Sequence, residues 1–227
     1  MKQENRKSFI QNWGMPITGM LFFALATLYV ASGCAQKEVI NRDSKGTSVV
    51  CFGDSLTYGY GVERGSDYPR ILSQKINMPV INAGINSNTS ELAKVRMQSD
   101  VLSYDPYIVV IEFGANDFMT HVPIDTTIAN VRQLIRKSQE GGAMAFLVDV
   151  SAGLLMKEYQ PAYARLASQT GAVFIPDVFA GIITNPRLKS DFVHPNAAGY
   201  DLIAERIHKA LLPYLVKKDL LKKIVRK

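Results

Sequence analysis

Five short runs of the chain are continuously apolar and rich in Val and Ile: 48–52 (SVVCF), 79–83 (PVINA), 107–113 (YIVVIEF), 143–150 (AMAFLVDV) and 172–176 (AVFIP). Runs of this kind suit strands covered on both faces, as in a parallel sheet. Amphipathic segments lie between and after them. Segment 67–77 puts Tyr68, Ile71, Leu72 and Ile76 on one face, 89–104 offers Leu92, Val95 and Leu102, and 125–140 offers Ile128, Val131, Leu134 and Ile135. Segment 157–170 stops at Gly171, a C-cap residue. Segment 195–215 opens on Pro195, with Ile203, Ile207, Ala210, Leu211 and Tyr214 inward. Asn88, with Glu91 three residues on, predicts a capping box before the second helix. Strand and helix alternate about five times, which predicts a three-layer α/β/α fold around a five-stranded parallel sheet.

Composition changes this picture little. The 227 residues are 47% hydrophobic and 20% charged, as in an ordinary globular domain. The net charge of +6 is unevenly placed: residues 1–33 carry +2 and residues 216–227 carry +5, leaving −1 for 34–215. A near-neutral body lacks the basic face needed to bind nucleic acid. Residues 1–14 are basic, Ile17 to Ser32 is uncharged and mostly apolar, and Ala-Ser-Gly-Cys ends at Cys34. This order predicts an export signal over 1–33. Its end resembles a bacterial lipobox with Cys34 as the lipid-bearing residue, although Ala31 stands where Leu is commonest. Plain cleavage into the periplasm, or an uncleaved anchor, is the other reading. Residues 34–47 read as a polar linker. If Cys34 is lipidated, Cys51 has no partner, and it reads as a buried thiol. The tail 216–227 spaces Val216, Leu220 and Ile224 among Lys and Arg, which suits either an amphipathic helix on an anionic membrane or a solvated end.

Ligands in such folds sit beyond the carboxyl ends of the strands, and four polar clusters fall there. Gly53-Asp54-Ser55-Leu56-Thr57 follows the first strand and Gly84-Ile85-Asn86-Ser87-Asn88-Thr89 the second. Gly114-Ala115-Asn116-Asp117 follows the third, and Asp191-Phe192-Val193-His194-Pro195 precedes the last helix. Together, over about residues 48–215, these clusters resemble the four motif blocks of the GDSL (SGNH) hydrolases, most of all the bacterial thioesterase, lysophospholipase and arylesterase branch. The resemblance implies the flavodoxin-like SGNH hydrolase fold, an ester or lipid-ester substrate and no cofactor. It also implies that Asp54 and Asp117 brace loops.

The residues support the same chemistry. Acyl transfer needs a nucleophile, a base, a group that orients the base, and oxyanion donors. Ser55 sits at a strand-to-helix turn, where its hydroxyl is exposed. His194 supplies an imidazole, which in water titrates near about 6.5 and so accepts a proton at neutral pH. Asp191, three residues earlier, can hold the other ring nitrogen. The α/β-hydrolases share this chain order, but their G-x-S-x-G elbow is absent, because Thr57 stands at its fifth position. The oxyanion donors are the Ser55 N–H, the Ser87 N–H and the Asn116 amide, with Gly84 in place of Ser87 if the register shifts. Relatives usually carry Gly where this chain has Ser87. His121 is a candidate substrate contact, and the apolar loops 119–124 and 151–156 are candidate walls of an acyl groove. No metal-ligand spacing and no phosphate-binding G-x-x-x-x-G-K occurs. The expected protein is a cell-envelope serine ester hydrolase. The rivals are a carbohydrate O-acetylesterase and a non-catalytic lipoprotein scaffold.

Overall fold

The computed structural model describes residues 38–151 and 156–215. The export signal, Cys34 and the basic tail lie outside the described residues, as does 152–155 of the second apolar loop. The chain divides into two compact units, 1–36 and 37–227, and the fold below belongs to the second.

The five apolar runs are the five strands: β1 Ser48–Gly53, β2 Val80–Gly84, β3 Pro106–Glu112, β4 Met144–Val148 and β5 Val173–Ile175. All pair in parallel, in the order β2-β1-β3-β4-β5. That is the flavodoxin-like order, with its switch point between β1 and β3. The central strands are buried on both faces because helices cover both. On one face Val50, Phe52, Val109, Ile111 and Leu147 meet helices α3 (Ser90–Asp100), α5 (Ile124–Glu140) and α6 (Tyr159–Thr170). On the other, Val49, Cys51, Val110 and Phe146 meet α2 (Tyr68–Ile76) and α7 (Ala197–Leu215). Each such aliphatic side chain taken from water contributes about 1.5–3 kcal/mol. Two short helices, α1 (Ser55–Tyr58) and α4 (Ala115–Met119), start directly at the ends of β1 and β3.

Most helix faces are as the periodicity predicts, but α3 is not. Leu92 is 52% exposed and Val95 83% exposed, whereas Ser90, Ala93 and Met97 are buried. The period is helical, but the inward stripe starts with the small Ser90 and Ala93 before Met97, and Ser90 is drawn inward by polar bonds. Its N–H and hydroxyl both donate to Asp117, and it accepts from Asn130. The cap is also one residue later than expected. Thr89, not Asn88, accepts from the Leu92 N–H. Asn88 is engaged instead by Arg96. Similarly, Pro195 does not open the last helix. It forms a bridge with Lys189, and the Asn196 side chain accepts from the Gly199 N–H as the cap. Gly171 ends α6 in the left-handed region, as expected.

Residues 38–47 are tied down rather than loose. The Ile40 N–H donates to Gly171, and the Asn41 amide donates to the carbonyls of Gln139 and Ala143. These partners lie just before β4 and β5. The end of α7 lies at the same edge of the sheet, where the Tyr107 hydroxyl donates to the Tyr214 carbonyl and Arg42 covers the Tyr214 ring.

Candidate active site

The carboxyl ends of β1, β2 and β3 and the loop before α7 converge on a cavity of about 510 Å³. Ser55 is the first residue of α1, positioned by Asp54, whose carboxylate accepts from the Leu56 N–H at 3.0 Å. Ser55 Oγ lies 3.0 Å from His194 Nε2, across 139 positions of sequence. His194 Nδ1 lies 2.7 Å from Asp191 Oδ2. Asp191 Oδ1 accepts the backbone N–H groups of Val193 and His194 at 2.9 and 2.8 Å. Desolvation pushes the Asp191 carboxyl up, but the hydrogen bonds from His194 and Val193 outweigh it and hold it at about 2. An ionised Asp191 selects the Nδ1–H tautomer and leaves Nε2 free to accept from Ser55.

The second cluster supplies Ser87, which lines the cavity with φ +59°. That is the left-handed region, so the position suits Gly and Ser occupies it under strain. Among the described residues none accepts a hydrogen bond from the Ser55 or Ser87 N–H. Gly84 is committed elsewhere. Its N–H donates to Asn82 Oδ1, and a Cβ on it would lie 2.1 Å from the Tyr58 nitrogen. Glycine there lets α1 pack closely against the end of β2.

Asn116 lines the same wall, but its amide is engaged, donating to Asp54 Oδ2 at 2.9 Å and to the Asn88 carbonyl at 3.2 Å. Burial, opposed by hydrogen bonds and by the nearby His194, pushes Asp54 up to about 6. Asp117 braces α3, accepting from Ser90 and Thr127. His121 is exposed and does not line the cavity.

Phe118, Met119, Val150, Met156, Phe179 and Ile183 make the cavity predominantly apolar. Met119 and Met156 come from the two loops expected to form a groove. Among the described residues no group of three or more His, Cys, Asp or Glu is arranged to hold a metal ion.

Three residues escape sequence reasoning. Arg96 donates to the carbonyls of Gly53 and Ala83 and to Asn88, and stacks 4.3 Å over the Phe52 ring. One guanidinium thereby clamps the ends of β1 and β2, but an arginine on a helix gives no sequence signal of that role. Tyr60 places its ring 4.5 Å from that of His194. Glu112 is a fully buried acid at the end of β3. A lone acid inside the apolar run YIVVIEF is a signal that can be read.

Residues 51–202 match the model of the GDSL-like lipase/acylhydrolase family. The chain is 25% identical over 180 residues to thioesterase 1/protease 1/lysophospholipase L1 of Escherichia coli, covering 76% of this chain and 86% of that protein. It is 35% identical over 98 residues to the uncharacterized lipoprotein YqeF of Bacillus subtilis, covering 40% of this chain and 37% of that one. The crystal structure of the psychrotrophic esterase EstA from Pseudoalteromonas sp. superposes with a TM-score of 0.68 at 25% identity, covering 74% of this chain and 98% of that one. With the strand-end clusters gathered around one cavity and the family model spanning most of the domain, the chain belongs to the GDSL-like lipase/acylhydrolase family and is an ester hydrolase of that type.

Proposed function

We propose that the chain is a serine hydrolase of esters or thioesters with an apolar acyl or aryl group, working through an acyl-enzyme on Ser55. The observation that carries this reading is the unbroken relay of Ser55, His194 and Asp191 at 3.0 and 2.7 Å. Ser55 Oγ attacks the carbonyl carbon as its proton passes to His194 Nε2. The imidazolium is stabilised by ionised Asp191. The Ser55 and Ser87 N–H groups receive the oxyanion, joined by Asn116, which exchanges its longer bond to Asn88 for one to the substrate. His194 returns the proton to the leaving alcohol or thiol as the tetrahedral intermediate collapses. Water then enters, and its oxygen attacks the acyl carbon as it gives a proton to His194 Nε2. The second tetrahedral intermediate collapses as His194 returns that proton to Ser55 Oγ, releasing the acid and free Ser55. The steps use only side chains and backbone of this chain and need no cofactor.

The apolar cavity supports an acyl or aryl substrate. Each methylene buried contributes about 0.8 kcal/mol, so kcat/KM should rise up to about fourfold per added carbon until the groove is full. A panel of p-nitrophenyl esters from acetyl upward tests this, together with labelling by a fluorophosphonate. Rates that fall from acetyl onward would favour a glycan O-acetylesterase. No label on Ser55 and no turnover would reject the hydrolase mechanism and leave a scaffold.

The reading extends to place. Export on residues 1–33, lipidation of Cys34 and attachment to a membrane of the bacterial cell envelope rest on the order of charge, apolar run and Ala-Ser-Gly-Cys. The basic tail is a second membrane contact in this reading. Incorporation of labelled palmitate into the wild type and not into Cys34→Ser tests lipidation, and absence of label from the wild type would refute it.

A further inference from the structure

Glu112 lies directly beneath the turn that carries Ser55, and no step above uses it. It closes β3, opposite Gly53 of β1, and is 1% exposed. A Cβ on Gly53 would fall 2.5 Å from Glu112 Oε2 and 2.0 Å from Thr57 Oγ1. The glycine of the Gly-Asp-Ser run is therefore what makes room for this carboxyl. Oε2 accepts the Thr57 hydroxyl at 2.9 Å and the Asp54 N–H at 3.3 Å. Thr57 in turn meets the Tyr68 hydroxyl at 3.0 Å. Oε1 is buried and receives no hydrogen bond from any described residue.

The two acids are neighbours, since Glu112 Oε2 accepts the Asp54 N–H and the charge of Asp54 acts on Glu112. No Lys or Arg among the described residues pairs with either acid. Two adjacent buried carboxyls without a cation do not both ionise; one proton stays with the pair. Asp54 has the more favourable surroundings for a charge, each of its oxygens accepting a hydrogen bond, from the Leu56 N–H and the Asn116 amide, with His194 nearby. Glu112, with one oxygen unserved, is the place for the proton.

We propose that Glu112 is a positioning residue of this esterase, keeping a proton that it shares with Asp54 and thereby fixing Asp54 to hold the Asn116 amide at the oxyanion site. Burial, then the neighbouring Asp54 charge, push Glu112 well above the usual carboxylate range, in the direction this role requires. The proton ties the end of β3 to the Ser55 turn and leaves a single negative charge on the pair. With both acids ionised, repulsion would push Asp54 and Asn116 out of place. The inference rests on the reading of Ser55 as nucleophile and of Asn116 as oxyanion donor.

Glu112→Gln keeps the acceptor and carries permanent donors, whereas Glu112→Leu removes both at similar volume. The Gln variant should keep kcat within about threefold, since a neutral donor replaces a neutral donor. The Leu variant should lower kcat about 100-fold at nearly unchanged KM, the cost of a displaced oxyanion donor. Infrared difference spectra of wild type minus Glu112→Gln at neutral pH should show the carbonyl stretch of a protonated carboxylic acid. That spectrum and the Gln variant decide the matter even where Glu112→Leu fails to fold. A Gln variant as impaired as the Leu variant, or no protonated-acid band, would overturn the proposal. A wild type that turns over no ester and takes no fluorophosphonate overturns the Ser55 reading itself, a result distinct from either.

Discussion

Replacing Asp191 by Asn separates the orientation of His194 from its mere presence. Asp191 Oδ1 already accepts two backbone N–H groups, from Val193 and His194. In Asp191→Asn the one remaining carbonyl oxygen stays with those donors, and the new NH2 group faces His194 Nδ1. Nδ1 must then accept, the ring proton moves to Nε2, and Ser55 Oγ at 3.0 Å loses its acceptor. In a fully buried triad this inversion costs about 10⁴ in kcat. Here the Asp191 side chain is 42% exposed, so water screens part of the charge effect. The expected loss in kcat/KM is about 10³, or about 4 kcal/mol of transition-state stabilisation. Initial rates on p-nitrophenyl butyrate measure it, with a thermal melt to confirm that the variant is folded. The wild-type carboxyl is held at about 2, so the loss should persist from neutral pH down to about pH 5. A loss below tenfold in a folded variant would refute the tautomer argument.

Other consequences can be checked without substrate. Ser87→Gly relieves a left-handed serine and should stabilise the fold by about 0.5–1 kcal/mol in denaturant titration, after the extra freedom of unfolded glycine is deducted; a destabilised variant would refute the strain. Asp54, pushed up to about 6 against about 3.9 when unfolded, binds its proton more tightly in the folded state. Its stabilising contribution is full below about 3.9 and is lost as pH rises through about 6. The melting temperature of the wild type should thus gain on Asp54→Asn as pH falls from 7 to 5, and parallel curves would count against a buried, titrating Asp54. Val95→Lys should alter stability by no more than about 0.5 kcal/mol, as at other exposed positions. Ala93→Leu should cost about 1–3 kcal/mol by overpacking; the reverse order would restore the Leu92–Val95 face.

Much of this architecture is legible in the chain because strands covered on both faces must be apolar throughout. The runs around Val50, Val110 and Phe146 mark them to within a residue or two. Ser55, Asp191 and His194 are legible because their residue types fall at strand ends and before the last helix. What stays hidden has physical causes. The inward stripe of α3 begins with the small Ser90 and Ala93 ahead of Met97, so the larger Leu92 and Val95 mislead a reading based on hydrophobicity. The clamp made by Arg96 joins carbonyls 43 and 13 residues away, and backbone carbonyls leave no trace in sequence. Asn116 is found at the expected place but already donating to Asp54, a partner that only the folded chain reveals.

The first and last described residues, Glu38 and Leu215, both belong to the edge of the sheet where the strands begin. Ser55 and the cavity belong to the edge where they finish, a six-residue strand or about 20 Å away. A cross-link made at Glu38 or Leu215 therefore meets the domain at the edge opposite the cavity and leaves its mouth open. With the domain held at either of those two residues, an ester reaches Ser55 from the side facing away from the support.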